Sequence, residues 1–309
     1  MKLEGIHHIT AITGDAPGNV EFYVGTLGLR MVKKSVNQDD PTVYHLFYAD
    51  EHGTPGSDLT FFEYPGAAPG RAGAGMVHRI VWRVGARDAL DFWEQRLAER
   101  GVESERGDDR LGFSDPEGLR HELVVSTVDD EPLIGDAPDI PRELALQGFD
   151  GVRAYSLEPA RSERLLRDTL GFTGGQDGRF EVRGDERGGF YAYDPAPAVR
   201  PVQGAGTVHH VAFASRMEDH EEWRERVIRA GARPTPVIDR FYFRSVYFRE
   251  PSGVLFELAT IGPGFATDED PEHLGERLSL PPAFEPLRPQ LERTLTPLPD
   301  PRARQGATR

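Results

Sequence analysis

Short runs rich in β-branched residues recur along the chain, separated by stretches with helical periodicity. Residues 5–12 read GIHHITAI, residues 75–82 GMVHRIVW, residues 151–157 GVRAYSL and residues 206–213 GTVHHVAF. Each has the composition of a strand. After the second run, RDALDFWEQRLAER (87–100) puts Leu90, Trp93 and Leu97 on one helical face and stops at Gly101. After the fourth, EDHEEWRERVIRA (218–230) stops at Gly231. Further short strands follow, and the last turn of these units carries Pro and Gly. The pattern predicts a βαβββ unit used four times, at about residues 1–65, 76–127, 149–195 and 206–262.

The units are related to one another. DPEGLRHELV (115–124) aligns without a gap on EPSGVLFELA (250–259), placing Pro116 on Pro251, Gly118 on Gly253 and Glu122 on Glu257. GMVHRIVW aligns on GTVHHVAF, so His78 answers to His209 and Arg79 to His210. GIHHITAI followed by TLGL (26–29) aligns on GVRAYSL followed by TLGF (169–172), setting Arg153 against His7 and Ala154 against His8. The Pro- and Asp-rich stretch DDEPLIGDAPDIP (129–141) reads as an exposed linker. The expected organisation is an N-terminal two-module half (1–140), a C-terminal two-module half (141–265) and an acidic, Pro-rich tail (266–309). In the tail, helices are expected through HLGERL (273–278) and near residues 287–295, with fraying beyond Pro299.

The histidines change the picture from fold to chemistry. Four of the ten lie in the doublets His7-His8 and His209-His210. Successive strand residues point to opposite faces, so one imidazole of each pair is expected inside and the other outside. Glu257, in the apolar strand LFELA, needs a neutralising partner, and a divalent metal is one. Two histidines and a carboxylate with open positions suit non-haem Fe(II), with Mn(II) as a second occupant. Units 2 and 3 keep Glu122 but lack the histidines equivalent to His8 and His210, so one site is complete and its twin is not. Unit 1 should therefore pair with unit 4 and unit 2 with unit 3, with Arg79 neutralising the orphaned Glu122. His45, His52, His121, His220 and His273 have no such support and default to structural or solvated roles.

Composition narrows the classes. The absence of cysteine leaves nitrogen and oxygen donors for any metal. A formal net charge of −15 argues against nucleic acid as a partner. No apolar run is long enough to span a bilayer and MKLEGIHHIT lacks a signal-like apolar segment, so a cytoplasmic protein without a membrane partner is expected. Assembly into a homo-oligomer is left open. Lysine occurs only at Lys2, Lys33 and Lys34, a bias that fits a GC-rich genome.

These residues carry a resemblance. The βαβββ modules, first-strand His and last-strand Glu resemble the vicinal oxygen chelate superfamily, which includes glyoxalase I and the type I extradiol dioxygenases. GIHHIT, YHLFYAD (44–50) with GTPGS (53–57) and TFF (60–62), and FYFRSVYFREP (241–251) are similar to the ring-cleaving hydroquinone dioxygenases, over nearly the whole chain. The resemblance implies an α+β fold of two incomplete β-barrels and an Fe(II) centre held by His8, His210 and Glu257. It also implies outer positions for His7 and His209, and contact of Arg240 and Tyr247 with an aromatic diol that reacts with O2. Two alternatives stand beside it. A glyoxalase-type lyase, isomerase or thiol transferase would need a fourth ligand, for which Glu63 at the end of LTFFEY is the candidate. A non-catalytic small-molecule-binding protein would need none of this chemistry.

Overall fold

The computed structural model describes residues 1–299 as two eight-stranded mixed sheets with few helices. The strands are β1 (Ile6–Thr13), β2 (Arg30–Asn37), β3 (Asp40–Ala49), β4 (Asp58–Glu63), β5 (Met76–Val84), β6 (Ser104–Arg106), β7 (Arg110–Ser114) and β8 (Arg120–Val125). They continue as β9 (Phe149–Ser156), β10 (Thr173–Gly174), β11 (Arg179–Arg183), β12 (Gly188–Pro195), β13 (Thr207–Ser215), β14 (Ile238–Asp239), β15 (Phe243–Arg249) and β16 (Leu255–Pro263). One sheet runs β14-β15-β16-β13-β1-β4-β3-β2, the other β10-β11-β12-β9-β5-β8-β7-β6. Unit 1 thus pairs with unit 4 and unit 2 with unit 3. The two central seams are the antiparallel pairs β1–β13 and β5–β9.

Helices α2 (Arg87–Glu99) and α4 (His220–Arg229) form where the apolar periodicity places them, burying Leu90, Trp93 and Leu97, and Trp223 and Val227. In units 1 and 3 the helix is a short α-turn, α1 (Ala16–Val20) or α3 (Ala160–Arg164). Each runs straight into a widened π-turn, Glu21–Thr26 or Leu165–Thr169. In the tail, α5 (Arg288–Thr294) matches expectation, but HLGERL does not form a helix. Gly275 takes a φ of 77° there, which breaks the helix, and Leu278 bridges to Lys34. The expected fraying beyond Pro299 lies outside the described residues. The start of the tail closes over the first sheet through fully buried Lys33. Its Nζ donates to Phe265 O (3.0 Å) and Asp268 Oδ1 (2.8 Å) and pairs with Glu269.

Strand register corrects the alignment of unit 3. Every printed pair of β1–β13 has its counterpart in β5–β9 when Gly5 is placed on Gly148, three residues earlier than the sequence comparison set it. Both glycines are left-handed, with φ of 88° and 85°. Thr26 and Thr169 already stand at this spacing, whereas GVRAYSL matched only as a strand-like run opening on glycine. The counterparts of His7 and His8 are therefore Asp150 and Gly151. The twin still lacks both histidines.

The acid of each Pro-Gly turn ties the sheets together. Asp115 accepts from the Glu117 and Leu119 N–H groups and from the Tyr23 hydroxyl of unit 1 (2.8 Å). Glu250, its repeat mate, accepts from the Ser252 and Val254 N–H groups and from Ser162 and Tyr193 of unit 3. Trp82 Nε1–H donates to His121 Nδ1 (3.1 Å), so His121 Nε2 carries the proton and donates to the Tyr23 oxygen (3.0 Å). Burial raises the Asp115 carboxyl to about 6, against the opposing pull of Tyr23 and the turn N–H groups. A folded-state value above the unfolded one, about 3.9, means that the folded protein holds this proton more tightly. The contribution is full below the unfolded value and is lost as pH rises to about 6. Urea unfolding of wild type and Asp115→Asn across pH 4–7 should differ by this slope, with the variant curve flatter between about 4 and 6.

Candidate metal centre

The central seam of the first sheet carries an irregularity at each doublet. Between the pairs Ile6↔Phe213 and Ile9↔Val211, β1 holds one residue more than β13; between Thr10↔His210 and Ala11↔Val208, β13 holds one more than β1. A bulge re-aims side chains and breaks strict alternation. The expectation of one imidazole in and one out is corrected accordingly. His7 and His8 are both buried and meet Nδ1 to Nδ1 at 2.9 Å, and His209 and His210 meet in the same way at 2.8 Å.

The second histidine of each doublet turns its Nε2 toward Glu257. His8 Nε2 lies 3.2 Å from His210 Nε2 and 3.1 Å from Glu257 Oε2, and His210 Nε2 lies 2.9 Å from the same oxygen. All three side chains are buried. The Glu257 oxygens make no well-directed hydrogen bond at these distances, which leaves an orphaned carboxylate in an apolar barrel. Burial works to raise its pKa, but His8 and His210 hold it well below the usual carboxylate range. Burial lowers that of His210, with Glu257 opposing.

This donor set fits a divalent cation. Donor atoms around one divalent cation stand roughly 3 Å apart, as these three do at 2.9, 3.1 and 3.2 Å. His7 supplies the orientation. Its Nε2 contacts Thr260 O at 3.1 Å and must be the protonated nitrogen, so its Nδ1 accepts from His8 Nδ1–H and leaves the His8 Nε2 lone pair free. Burial and neighbouring His8 lower His7 to about 3, and burial and His210 lower His209 to about 3, so both stay neutral.

Glu63 is not part of this group. The pseudo-two-fold axis of the seam that exchanges His8 with His210 exchanges Glu257 with Thr60: Ala212 pairs with Glu257, and Thr10 with Thr60. Glu63 lies three positions farther along β4, about 10 Å by strand rise, and burial raises its carboxyl. Among the described residues, the group able to hold a metal is His8, His210 and Glu257. In the twin, Arg79 Nη1 donates to Glu122 Oε2 at 2.6 Å, as expected, and Phe190 fills the space beside Gly151.

A narrow cavity of about 30 Å³ abuts the donors, walled by His8, His210, Phe62, Phe243, Arg240 and Tyr247. Tyr247 pairs with Glu257 across β15–β16, and burial and Glu257 raise its hydroxyl pKa. The Arg240 guanidinium sits 5.5 Å from the Tyr247 ring centre and pairs with Asp39 (2.8 and 3.1 Å). Gln38 Nε2 donates to Arg240 O (2.7 Å), and the next residue, Phe241, has a left-handed φ of 71°. His7 and His209 stay behind the ligands. His45, assigned no role from sequence, lines the cavity, and its place in YHLFYAD was the available signal.

Comparison with known proteins follows from this geometry. Residues 5–123 and 153–258 match the "Glyoxalase/Bleomycin resistance protein/Dioxygenase superfamily". The chain belongs to this superfamily. It is 40% identical to "Putative ring-cleaving dioxygenase MhqA" of Bacillus subtilis strain 168, over 96% of this chain and all of that one. It is 32% identical to "Chlorohydroquinone/hydroquinone 1,2-dioxygenase" of Sphingobium indicum, over 95% of this chain and 96% of that one. A solved structure described as a "putative dioxygenase" from Bacillus subtilis superposes with a TM-score of 0.89 at 39% identity, covering 96% of this chain and 98% of that one.

The donor geometry predicts that a divalent cation raises the melting temperature, by the equivalent of about 2.7 kcal/mol at a hundred times its dissociation constant. Glu257→Ala should abolish this shift and the bound metal measured by elemental analysis, while Glu63→Ala keeps both.

Proposed function

We propose that this superfamily member is an Fe(II)-dependent, extradiol-type ring-cleaving dioxygenase of the cytoplasm. It acts on hydroquinone or a related diphenol and inserts both atoms of O2. His8, His210 and Glu257 hold the metal, which Mn(II) can also occupy, and neither nucleic acid nor membrane takes part. The observation that carries this reading is the three-donor face with Thr60, and no carboxylate, in the fourth position. Three ligands on one side leave room for both an aromatic hydroxyl and O2. The names of the relatives over nearly the full length support the same class of enzyme.

Iron, when bound, supplies a place where a phenolate and O2 meet and exchange electrons. The chain does the rest. Phe62 and Phe243 form apolar walls for an aromatic ring. Arg240, whose pKa rises above its ordinary value through Asp39 and Tyr247 despite burial, stays cationic and stabilises negative charge on substrate oxygen. The Tyr247 hydroxyl, held protonated, donates to the same charge. His209 holds the His210 ring through the Nδ1 contact, and His7 holds the His8 ring in the same way. The Arg240–Asp39 pair stands at the cavity that receives the substrate.

A glyoxalase-type reaction lacks its fourth ligand, since Thr60 hydrogen-bonds to Thr10 (2.8 Å) and His45 (2.9 Å). Protein purified without oxygen and loaded with Fe(II), Mn(II) or Zn(II) distinguishes the readings. Oxygen uptake with hydroquinones, in the iron form and absent from the zinc form, is expected. Tyr247→Phe should lower kcat about a hundredfold with metal content unchanged. Turnover of a methylglyoxal–thiol adduct without oxygen uptake would favour the lyase instead.

A further inference from the structure

His45 stands on β3 opposite Phe62 of β4, on the same inner face as Thr60. Its ring lies between Phe47 and Phe62, with centroids 4.0 and 4.4 Å away, and Phe62 also abuts His210 (6.5 Å). One nitrogen is anchored: Nε2 meets Thr60 Oγ1 at 2.9 Å, and Thr60 Oγ1 meets Thr10 Oγ1 at 2.8 Å. The other nitrogen, Nδ1, has no protein partner among the described residues and is not sealed off in the interior.

Several other polar groups of the cavity are engaged. Gln38 donates to Arg240 O, Arg240 is paired with Asp39, and Tyr242 donates to Asp268. His45 Nδ1 is thus a fixed, unused polar atom in a cavity whose remaining wall is largely Phe47, Phe62 and Phe243. A hydroquinone seated there with one hydroxyl at the metal donors has its second hydroxyl on the far side of the ring, and burying it without a partner would be costly. When Thr60 donates its single proton to Thr10, Nε2 carries the imidazole hydrogen and Nδ1 presents a lone pair. Burial first, then the neighbouring His8, His210 and Arg240, keep the ring neutral and therefore able to accept.

We propose that His45 contacts substrate, its Nδ1 accepting a hydrogen bond from the phenolic hydroxyl remote from His8, His210 and Glu257. This rests on the dioxygenase reading and adds a residue that selects for a free second hydroxyl. The hydrogen stays on the hydroxyl in the bound state, and no bond is broken by His45.

The test compares hydroquinone with 4-methoxyphenol, whose second oxygen has no proton to give, in iron-loaded wild type, His45→Phe and His45→Asn. Phe keeps an aromatic ring in the stack, and Asn restores an acceptor near the Nδ1 position. In His45→Phe, KM for hydroquinone should rise about tenfold, with kcat changed less and the competitive Ki of 4-methoxyphenol held within about twofold. His45→Asn should recover most of the lost affinity for hydroquinone. Equal weakening of both phenols, or no effect on either, overturns the role of His45 and leaves the dioxygenase reading standing. If iron-loaded wild type consumes no oxygen with any diphenol, the dioxygenase reading fails and this role with it. Thermal melting and metal content of each variant separate a folding defect from a lost contact.

Discussion

The antiparallel seam between β1 and β13 is the constraint on which the site depends. It joins residues about two hundred positions apart and places both doublets at bulges of a single ladder. Pairing alone would bring the strands together, but regular alternation would send adjacent histidines to opposite faces. The paired irregularities bring each doublet into one hydrogen-bonded couple, and the couples related by the seam aim at a common point. Closing loops of this length costs conformational entropy before any contact forms. The cost is met by the apolar face of the same ladder, where Ile6, Ile9, Val211 and Phe213 are buried.

The second sheet repeats the seam without the chemistry, and its pairs superpose on those of the first one by one. What differs is what fills each position: Gly151 for His8, Arg79 for His210, and Phe190 for Asp58 beside them. The sheets are held together by the turn acids Asp115 and Glu250, each capping its own turn and accepting from the partner sheet. One repeat feature thus does the same work twice at the inter-sheet contact, while another survives as a possible metal face only once.

Much of this was legible in the sequence because the repeats carry it. The unit βαβββ, the pairing of units, the helices α2 and α4, and the convergence of His8, His210 and Glu257 followed from periodicity and from matching Glu122 on Glu257. The misplaced features share a physical cause: sequence comparison sees composition, not register. GVRAYSL looked like GIHHITAI because both are strand-like runs that open on glycine, but the left-handed glycines and the bulges set the true correspondence three residues away. The same blindness made Glu63 look like a fourth ligand from its preceding phenylalanine, when strand pairing puts Thr60 opposite. His45 was passed over for another reason: it belongs to a strand with no histidine in its repeat mates, and only the closure of the barrel brings it near the doublets.

The twin site also explains why the live one is built as it is. Glu122 and Glu257 occupy equivalent strand positions, and each is largely withdrawn from water. A buried carboxylate needs a positive partner or it takes up a proton. In the twin that partner is covalent to the chain, since the Arg79 guanidinium reaches Glu122 with one charge-assisted hydrogen bond and leaves no open position. In the first sheet no such cation is built into the chain: burial lowers the His210 pKa, and the couple with His7 leaves the His8 Nε2 as an acceptor. Three acceptor atoms about 3 Å apart repel one another unless a proton or a cation sits among them. A divalent cation satisfies all three at once and keeps coordination positions free on the cavity side, which an arginine at the His210 position cannot do.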